Sequence, residues 1–140
     1  MQKKDTDFSD WLAICNVKAA YCRLLDTKDW EGWKQLFTED VVVDTTGSGG
    51  EITNDRDTFV ASVSASLAEA KTAHQVHSPE ITIDGDEARV IWAMQDRVVW
   101  GESRGLTGYG HYIERYRRTQ DGWKIAEQKL TRLHMDMNME

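Results

Sequence analysis

The feature that most constrains the fold is a change of periodicity near residue 72, where helix-type spacing gives way to strand-type segments. Beyond it, β-branched and aromatic residues form runs separated by short turns such as Asp84-Gly85-Asp86 and Gln120-Asp121-Gly122. The pattern predicts successive strands over 74–84, 87–101, 109–118 and 123–135, with a loop at 102–107. Consecutive strands joined by short turns form an antiparallel meander.

The first half of the chain has helix-type spacing instead. Apolar residues recur at steps of three and four over 8–26, namely at Trp11, Leu12, Cys15, Ala19, Cys22 and Leu25. A short second helix is predicted over 30–37 after a cap at Asp29, and a third over 56–69 after Asp55 or Asp57. The β-branched run 41–43 predicts a strand between them.

Helices followed by a meander define the α+β class. Because long strands in a chain of 140 residues must curl to bury both faces, we expect a cone-shaped α+β barrel. Its N-terminal helices would pack on a strongly curved, mostly antiparallel sheet and leave a pocket between the two layers. The length predicts one domain over 1–140, with a disordered tail at 1–7.

Composition excludes several classes of partner. The net charge of −7 disfavours nucleic acid and anionic membranes but permits a small, neutral substrate. No apolar run approaches the ~18 residues of a membrane span, and no signal-type segment follows Met1, so we expect a cytoplasmic protein. Cys15 and Cys22 would lie about 10 Å apart along one helix, too far for a disulfide. No metal-binding motif occurs, and we expect neither a metal nor a cofactor.

Asp26 and His74 are the candidate catalytic residues. A carboxylate at a helix C-terminus opposes the helix dipole, so Asp26 is either a solvated turn residue or has a function. An imidazole titrates near neutral pH and suits a general base, although a lone histidine is often structural. His74 and His77 lie three apart on one strand and should face opposite sides unless Pro79 imposes a bulge. Asp26 is the best partner for His74, because it would fix the imidazole tautomer.

Other residues could line the pocket or simply build the sheet. Tyr112 could donate a hydrogen bond to a substrate or could pack within the sheet. Lys129 and Arg132 lie on opposite faces of the last strand, so at most one reaches the pocket, and a surface position is the default for both. Asp96 and Arg97 are expected to form a solvated or cross-strand pair. Several tryptophans are assigned to the core, where they could also contact a ring-shaped substrate: Trp30, Trp33, Trp92 and Trp100.

Five segments together suggest a family: 21–30 (YCRLLDTKDW), 36–40 (LFTED), 73–74 (AH), 83–88 (IDGDEA) and 121–125 (DGWKI). In this order they resemble the nuclear transport factor 2-like superfamily, in its SnoaL-like and scytalone dehydratase-like branch. The resemblance implies a cone-shaped barrel with one deep pocket. It also implies an Asp-His dyad, because the family's dehydratases and dehydrochlorinases pair an Asp at the end of the first helix with a His that opens the first long strand. The matching residues here are Asp26 and His74.

Some positions depart from the family pattern. Ser78 stands where many relatives have Asn, and Tyr112 stands at the position of a dehydratase pocket Asn. A second pocket histidine of the dehydratases would fall at Val99 or Trp100. The last-strand Arg of the dehydrochlorinases matches Lys129 without a gap and Arg132 after a shift. The resemblance therefore does not carry over a substrate.

The sequence thus predicts a cofactor-independent lyase or isomerase with Asp26 and His74 as its general-base dyad. Its substrate would be a small apolar or cyclic organic molecule, polarised by Tyr112, Tyr21 or a last-strand cation. The predicted substrate-binding residues are Tyr21, Trp30, Tyr112, Arg132, Lys129 and His77. The alternatives on the same fold are a non-catalytic small-molecule-binding protein and an assembly subunit. Self-association through the sheet, as a homodimer or homotrimer, is also expected.

Overall fold

The computed structural model describes residues 8–139, so the tail predicted for 1–7 lies outside the described residues. The helices are α1 (Phe8–Asp26), α2 (Trp30–Lys34) and α3 (Arg56–Leu67). The strands are β1 (Phe37–Asp44), β2 (Ile52–Thr53), β3 (Ala70–Asp84), β4 (Glu87–Trp100), β5 (Arg104–Thr119) and β6 (Gly122–Met139). A 3₁₀ turn at Thr46–Ser48 follows β1.

The six strands form one sheet in the order β2-β1-β6-β5-β4-β3. Neighbours are antiparallel except for β1, which runs parallel to β6. The turn between β3 and β4 has two residues and begins at Gly85 with φ 62°, a left-handed conformation that glycine adopts without strain. The helices pack on the curled sheet, which confirms the predicted α+β class and its cone-shaped, mostly antiparallel architecture.

The strands are longer than the sequence pattern predicted. β3 begins at Ala70, so His74 lies within the strand and does not open it. The predicted loop over 102–107 is mostly strand, since β5 begins at Arg104 and pairs there with Trp100 and Met139. These added segments are polar and show no alternation of apolar residues. They are strands because they form backbone hydrogen bonds with neighbouring strands.

The first helix has the predicted length but a different buried face. Ile14, Lys18 and Tyr21 face the sheet, whereas Trp11 and Leu12 are 36% and 43% exposed. Of the predicted face, Leu25 is buried and Cys15 and Cys22 are partly buried. The prediction is wrong for Trp11 and Leu12, because an apolar count does not recognise that Lys18 belongs to the buried stripe. The second helix ends at Lys34 rather than at residue 37, and Phe37 begins β1.

The caps and the core agree with the sequence more closely. Asp29 accepts a hydrogen bond from the Gly32 N–H at 3.0 Å, and Asp55 accepts one from the Thr58 N–H at 2.9 Å. Each carboxylate satisfies a helix N–H that has no partner within its helix. The core between α1, α2 and the concave face of the sheet includes Trp33, Phe37, Val90, Trp92, Tyr116 and Ile125.

Candidate active site

A cavity of about 610 Å³ opens between the concave face of the sheet and the segment from β2 to α3. Part of its wall is apolar, with Leu25, Trp33, Phe59 and Val98. The opposite part carries polar side chains, namely Tyr21, His74, Asp96, Tyr112, Gln128 and Arg132. Apolar walls with a few convergent polar groups are typical of small-molecule sites.

Asp26 closes the C-terminus of α1 by binding β3. One of its carboxylate oxygens accepts a hydrogen bond from the backbone N–H of His74 at 2.8 Å. The other accepts from the Thr72 hydroxyl at 2.8 Å and lies 2.7 Å from His74 Nδ1. The alternative of a solvated turn residue is therefore excluded, because this carboxylate joins the helix end to the sheet.

The bond to Asp26 fixes the orientation of the His74 ring. A carboxylate only accepts hydrogen bonds, so Nδ1 carries a hydrogen, and in the neutral imidazole the lone pair is then on Nε2. The Nε2 atom lies 3.9 Å from Asp96 Oδ2, beyond hydrogen-bond distance, and His74 lines the cavity. In its neutral form, His74 thus presents a proton acceptor to a molecule in the cavity.

Asp96 and Arg132 form a second ion pair beside His74. The two guanidinium Nη atoms donate to the Asp96 carboxylate at 2.7 and 3.0 Å, and Arg132 Nε donates to Ser48 Oγ at 2.7 Å. Gly108 leaves room for this pair, since a Cβ there would lie 2.1 Å from Arg132 Nη1. We call Asp26, His74, Asp96 and Arg132 the His74 cluster.

A second buried cluster lies deeper between α1 and the sheet. Lys18 Nζ donates to Glu114 at 2.7 Å, and both side chains are fully buried. Glu114 also accepts from the Tyr116 hydroxyl at 2.7 Å and from Gln128 Nε2 at 2.5 Å. We call Lys18, Glu114, Tyr116 and Gln128 the Lys18–Glu114 cluster.

Burial shifts the pKa of several groups around these clusters. It lowers the pKa of Lys18, although Glu114 opposes this effect. It raises the pKa of Tyr21, Tyr112 and Tyr116 well above the usual range of a phenol, with the charge of Glu114 adding to the effect at Tyr21 and Tyr116. Burial also raises the pKa of the Cys22 thiol to about 11. The three phenols and the Cys22 thiol therefore stay protonated and neutral near pH 7.

Of the predicted substrate-binding residues, the structure places Tyr21, Tyr112 and Arg132 on the cavity wall. Arg132 is thus the last-strand cation that faces inward, and its default surface assignment is corrected because Asp96 and Ser48 hold it there. Lys129 is exposed and borders a groove on the outer face of the sheet, as the opposite-face argument requires.

Two further predicted residues lie outside the cavity. Trp30 is half-buried and packs edge-on against Trp33, with ring centroids 5.8 Å apart. His77 is exposed on the other face of β3, where its ring bonds Ser78 at 3.1 Å. A register shift does follow at Pro79, but it comes after His77 and so does not turn that ring inward.

Asp96 was expected to form a solvated or cross-strand pair, and this expectation is wrong. In the structure the Asp96 side chain is buried against Arg132. The alternation of β4 contained the signal, since Asp96 shares the face of Trp92, Met94 and Val98. Lys18 was likewise signalled by its four-residue spacing from Ile14.

The described residues contain neither a membrane helix nor a metal cluster. Over 8–139, no helix is long and apolar enough to cross a membrane. Within the same range, no group of three or more His, Cys, Asp and Glu side chains could hold a metal ion. Cys15 and Cys22 are both free thiols, as their separation predicted.

The fold and the cavity define a cone-shaped α+β protein with one polar-lined pocket at the end of its first helix. The chain belongs to the SnoaL-like domain family, whose model matches residues 6–129. The suspected superfamily is thereby confirmed.

Relatives cover nearly the whole chain. A probable cyclase of Gibberella zeae is 25% identical, over 86% of this chain and 89% of that protein. A structure from Novosphingobium aromaticivorans, named for a proposed aromatic ring hydroxylase activity, is 26% identical with a TM-score of 0.89 over 96% of both chains. A second from that organism, named for a proposed scytalone dehydratase activity, is 21% identical with a TM-score of 0.85, over 94% of this chain and 89% of that one. At 21% identity the second likeness shows the fold alone.

Proposed function

We propose that this chain is a cofactor-independent lyase or isomerase of small organic molecules, with Asp26 and His74 as its general-base dyad. The observation that carries the proposal is the 2.7 Å bond between His74 Nδ1 and Asp26, on a ring that lines the cavity. The name of the cyclase relative supports chemistry on a small organic molecule.

In the proposed reaction, His74 Nε2 removes a proton from a carbon next to a carbonyl or a leaving group. The electron pair of the broken C–H bond forms a C=C bond, and the neighbouring carbon loses hydroxide or halide. When hydroxide leaves, the imidazolium returns the proton to it and water forms. When halide leaves, the halide ion departs and the imidazolium releases the proton to solvent, which restores the neutral base. In an isomerisation, the imidazolium instead returns the proton to a different carbon.

The neighbouring charges suit this cycle. Asp26 stabilises the imidazolium, because a negative carboxylate lies 2.7 Å from its Nδ1 atom. The guanidinium of Arg132, held by Asp96 and Ser48, stabilises negative charge on the departing oxygen or on the carbonyl. Asp96 offsets the charge of Arg132 and lowers the cost of burying it.

The test compares two histidines of the same strand. Wild type, His74→Gln and the control His77→Gln are assayed with a β-hydroxy ketone, a chlorinated cyclohexane and a β,γ-unsaturated ketone. These probes report dehydration, dehydrohalogenation and isomerisation. We expect His74→Gln to lower kcat by about 10²–10⁴-fold, the usual contribution of a positioned base. His77→Gln should keep the wild-type rate, since its ring lies outside the cavity.

Full turnover by His74→Gln would reject the dyad. If the wild type binds these compounds in the cavity but converts none of them, the chain is better described as a small-molecule-binding protein. Binding is measured separately by ¹H–¹⁵N NMR titration, so the two results are distinguishable.

We also propose that the chain self-associates through the outer face of its sheet. Val42, Ile91 and Ile113 are exposed there, at 37–42%, around a groove that also contains Lys129. Light scattering after size exclusion should give a dimer or trimer, and Ile113→Glu should give a monomer. A monomeric wild type would reject this proposal.

A further inference from the structure

Arg132 is the cation that a substrate meets in the cavity. The acidic and basic side chains that line the cavity are Glu51, Asp55, His74, Asp96 and Arg132. Among these lining residues, all within the described range 8–139, Arg132 is the one permanent cation. Glu51 and Asp55 are exposed, so solvent weakens their effect, whereas the Asp96 and Arg132 side chains are only 5% and 10% exposed. The charge that a bound molecule meets away from solvent is therefore decided by this pair.

Asp96 occupies the edge of the guanidinium that would bind an acid. A carboxylate binds arginine best through two parallel N–H bonds, and Asp96 already accepts such a pair from the two Nη atoms at 2.7 and 3.0 Å. Arg132 Nε donates to Ser48 Oγ, and Nη1 also donates to Met94 Sδ at 3.7 Å. The remaining N–H group is on Nη2. A single donor suits a carbonyl or hydroxyl oxygen, but it cannot form the paired bonds that a second carboxylate needs.

An anion in the cavity would find no other positive charge to compensate it. His74 is uncharged in the form that acts as a base, and Asp26, which bonds its Nδ1 atom, is negative. The Lys18 ammonium does not line the cavity and is paired with Glu114 at 2.7 Å. Burying an unpaired carboxylate is costly, and nearby negative charges raise that cost. A substrate carboxylate would thus lose its hydration without gaining a partner.

We infer that Asp96 determines the charge specificity of the cavity. By neutralising Arg132, it lets uncharged ring compounds with a carbonyl or hydroxyl group bind and keeps carboxylic acids of the same size out. The pair still leaves one N–H group for a substrate oxygen. This inference names the substrate class of the proposed function and rests on the cavity being its ligand site. It concerns binding and does not require turnover.

Two probes of the same size test this specificity. 2-Naphthamide is neutral and 2-naphthoate is an anion at pH 7, and both carry a carbonyl oxygen on the same ring system. Dissociation constants are measured at pH 7 by ¹H–¹⁵N NMR titration, followed at the resonances of cavity residues. We expect wild type to bind 2-naphthamide at least about 10-fold more tightly than 2-naphthoate, because the buried anion has no partner.

Two variants assign the specificity to Asp96. Asp96→Asn keeps the shape of the side chain but removes its charge, so the guanidinium is no longer neutralised. It should bind 2-naphthoate about 10- to 100-fold more tightly than wild type does, the usual range for a hydrogen bond between charged groups. Its affinity for 2-naphthamide should change little. Glu51→Gln is the matched control, because it removes an exposed carboxylate of the same cavity, and it should change both constants by less than about 2-fold.

A double variant identifies the group that binds the anion. Asp96→Asn/Arg132→Gln removes both buried charges and should lose the gain in 2-naphthoate affinity, because the cation is gone. Since the wild-type comparison needs no substitution, it decides the charge specificity even if Asp96→Asn is too unstable to titrate.

Equal binding of the two probes to wild type would overturn the inference. So would an equal gain for 2-naphthoate in Glu51→Gln, since the overall charge of the cavity would then set the specificity. If neither probe binds in the cavity, the inference fails, whereas the proposed reaction is still judged by the turnover of wild type and His74→Gln. A charge preference that remains in a protein without turnover supports the inference while the proposed reaction fails, so the two failures are distinguishable.

Discussion

The Lys18–Glu114 cluster and the His74 cluster each contain a carboxylate paired with a basic side chain, but only the His74 cluster has a polar atom without a hydrogen-bond partner at the cavity. The Lys18–Glu114 cluster is closed, with three donors on one carboxylate and fully buried charged side chains. The His74 cluster has a gap, because His74 Nε2 lies 3.9 Å from Asp96 on a surface that borders the cavity. Satisfied buried charges position their neighbours, whereas an unsatisfied lone pair at a cavity is available for chemistry.

The largest expected effect on stability comes from breaking the Lys18–Glu114 cluster. Lys18→Met leaves Glu114 buried without its cation and should lower the free energy of unfolding by about 3–5 kcal/mol. The double variant Lys18→Met/Glu114→Gln should be more stable than Lys18→Met alone, since no uncompensated charge remains. Urea denaturation measures both. A double variant that is as unstable as the sum of the two single variants would contradict the prediction.

A smaller loss of stability is expected when a side chain is added next to the His74 cluster. In Gly108→Ala the new Cβ would lie 2.1 Å from Arg132 Nη1 and 2.5 Å from Asp96 Oδ1, so the pair must move. Overpacking of this kind costs about 1–3 kcal/mol, and the flexible end of Arg132 favours the lower figure. Gly105→Ala on the same strand is the control, because its Cβ would come no closer than 3.1 Å to a neighbour. Equal thermal stability of the two variants would count against the prediction.

The pH dependence of stability tests whether the pKa of Tyr116, the buried phenol of the Lys18–Glu114 cluster, is raised. Burial raises the pKa of Tyr116, so above about pH 10 the unfolded chain loses this proton while the folded chain keeps it. Tyr116 therefore makes its full contribution to the free energy of unfolding below pH 10. Above that pH the contribution falls, by at most about 1.4 kcal/mol per pH unit. Tyr116→Phe should therefore flatten the alkaline fall in stability, with a constant difference from wild type between pH 7 and 9. Identical slopes above pH 10 would refute this assignment.

The smallest loss of stability is expected for Asp26→Asn, which removes one charge from the His74 cluster. The amide can offer either its oxygen or its NH₂ group to Nδ1, so the His74 ring should become a mixture of tautomers. The ¹⁵N chemical shifts of labelled histidine report this directly, and the stability loss should be about 1 kcal/mol. Asp29→Asn is the matched control, because Asn caps a helix as well as Asp does. An unchanged Nδ1–H tautomer in Asp26→Asn would show that Asp26 does not select it.

The two clusters also differ in how far the sequence predicts them. Asp26 and His74 were predicted to meet mainly because the family resemblance implies this Asp-His dyad, with Asp26 at the end of the first helix. Lys18, Asp96 and Glu114 were not, because composition and hydropathy assign charged residues to the surface. Their burial could be predicted only if the apolar periodicity were continued across a charged residue. On β5, for example, Glu114 lies on the same face as the buried Tyr112 and Tyr116.

Element boundaries were predicted less well, for a different physical reason. A strand ends where its neighbour stops pairing with it, and the partners of Arg104 include Met139, far away along the chain. The class and the order of elements depend on local periodicity and could be predicted. Strand lengths depend on pairing across the sheet, which no local window contains.

The parallel contact between β1 and β6 also has a consequence for biosynthesis. Asp44 pairs with Lys129, so β1 can join its edge of the sheet only after the chain has been synthesised as far as β6. The hairpins from β3 to β6 form from near neighbours in sequence, whereas β1 must wait for a distant partner. We expect β1, although it is synthesised before β3, to join the sheet only after β6 has emerged.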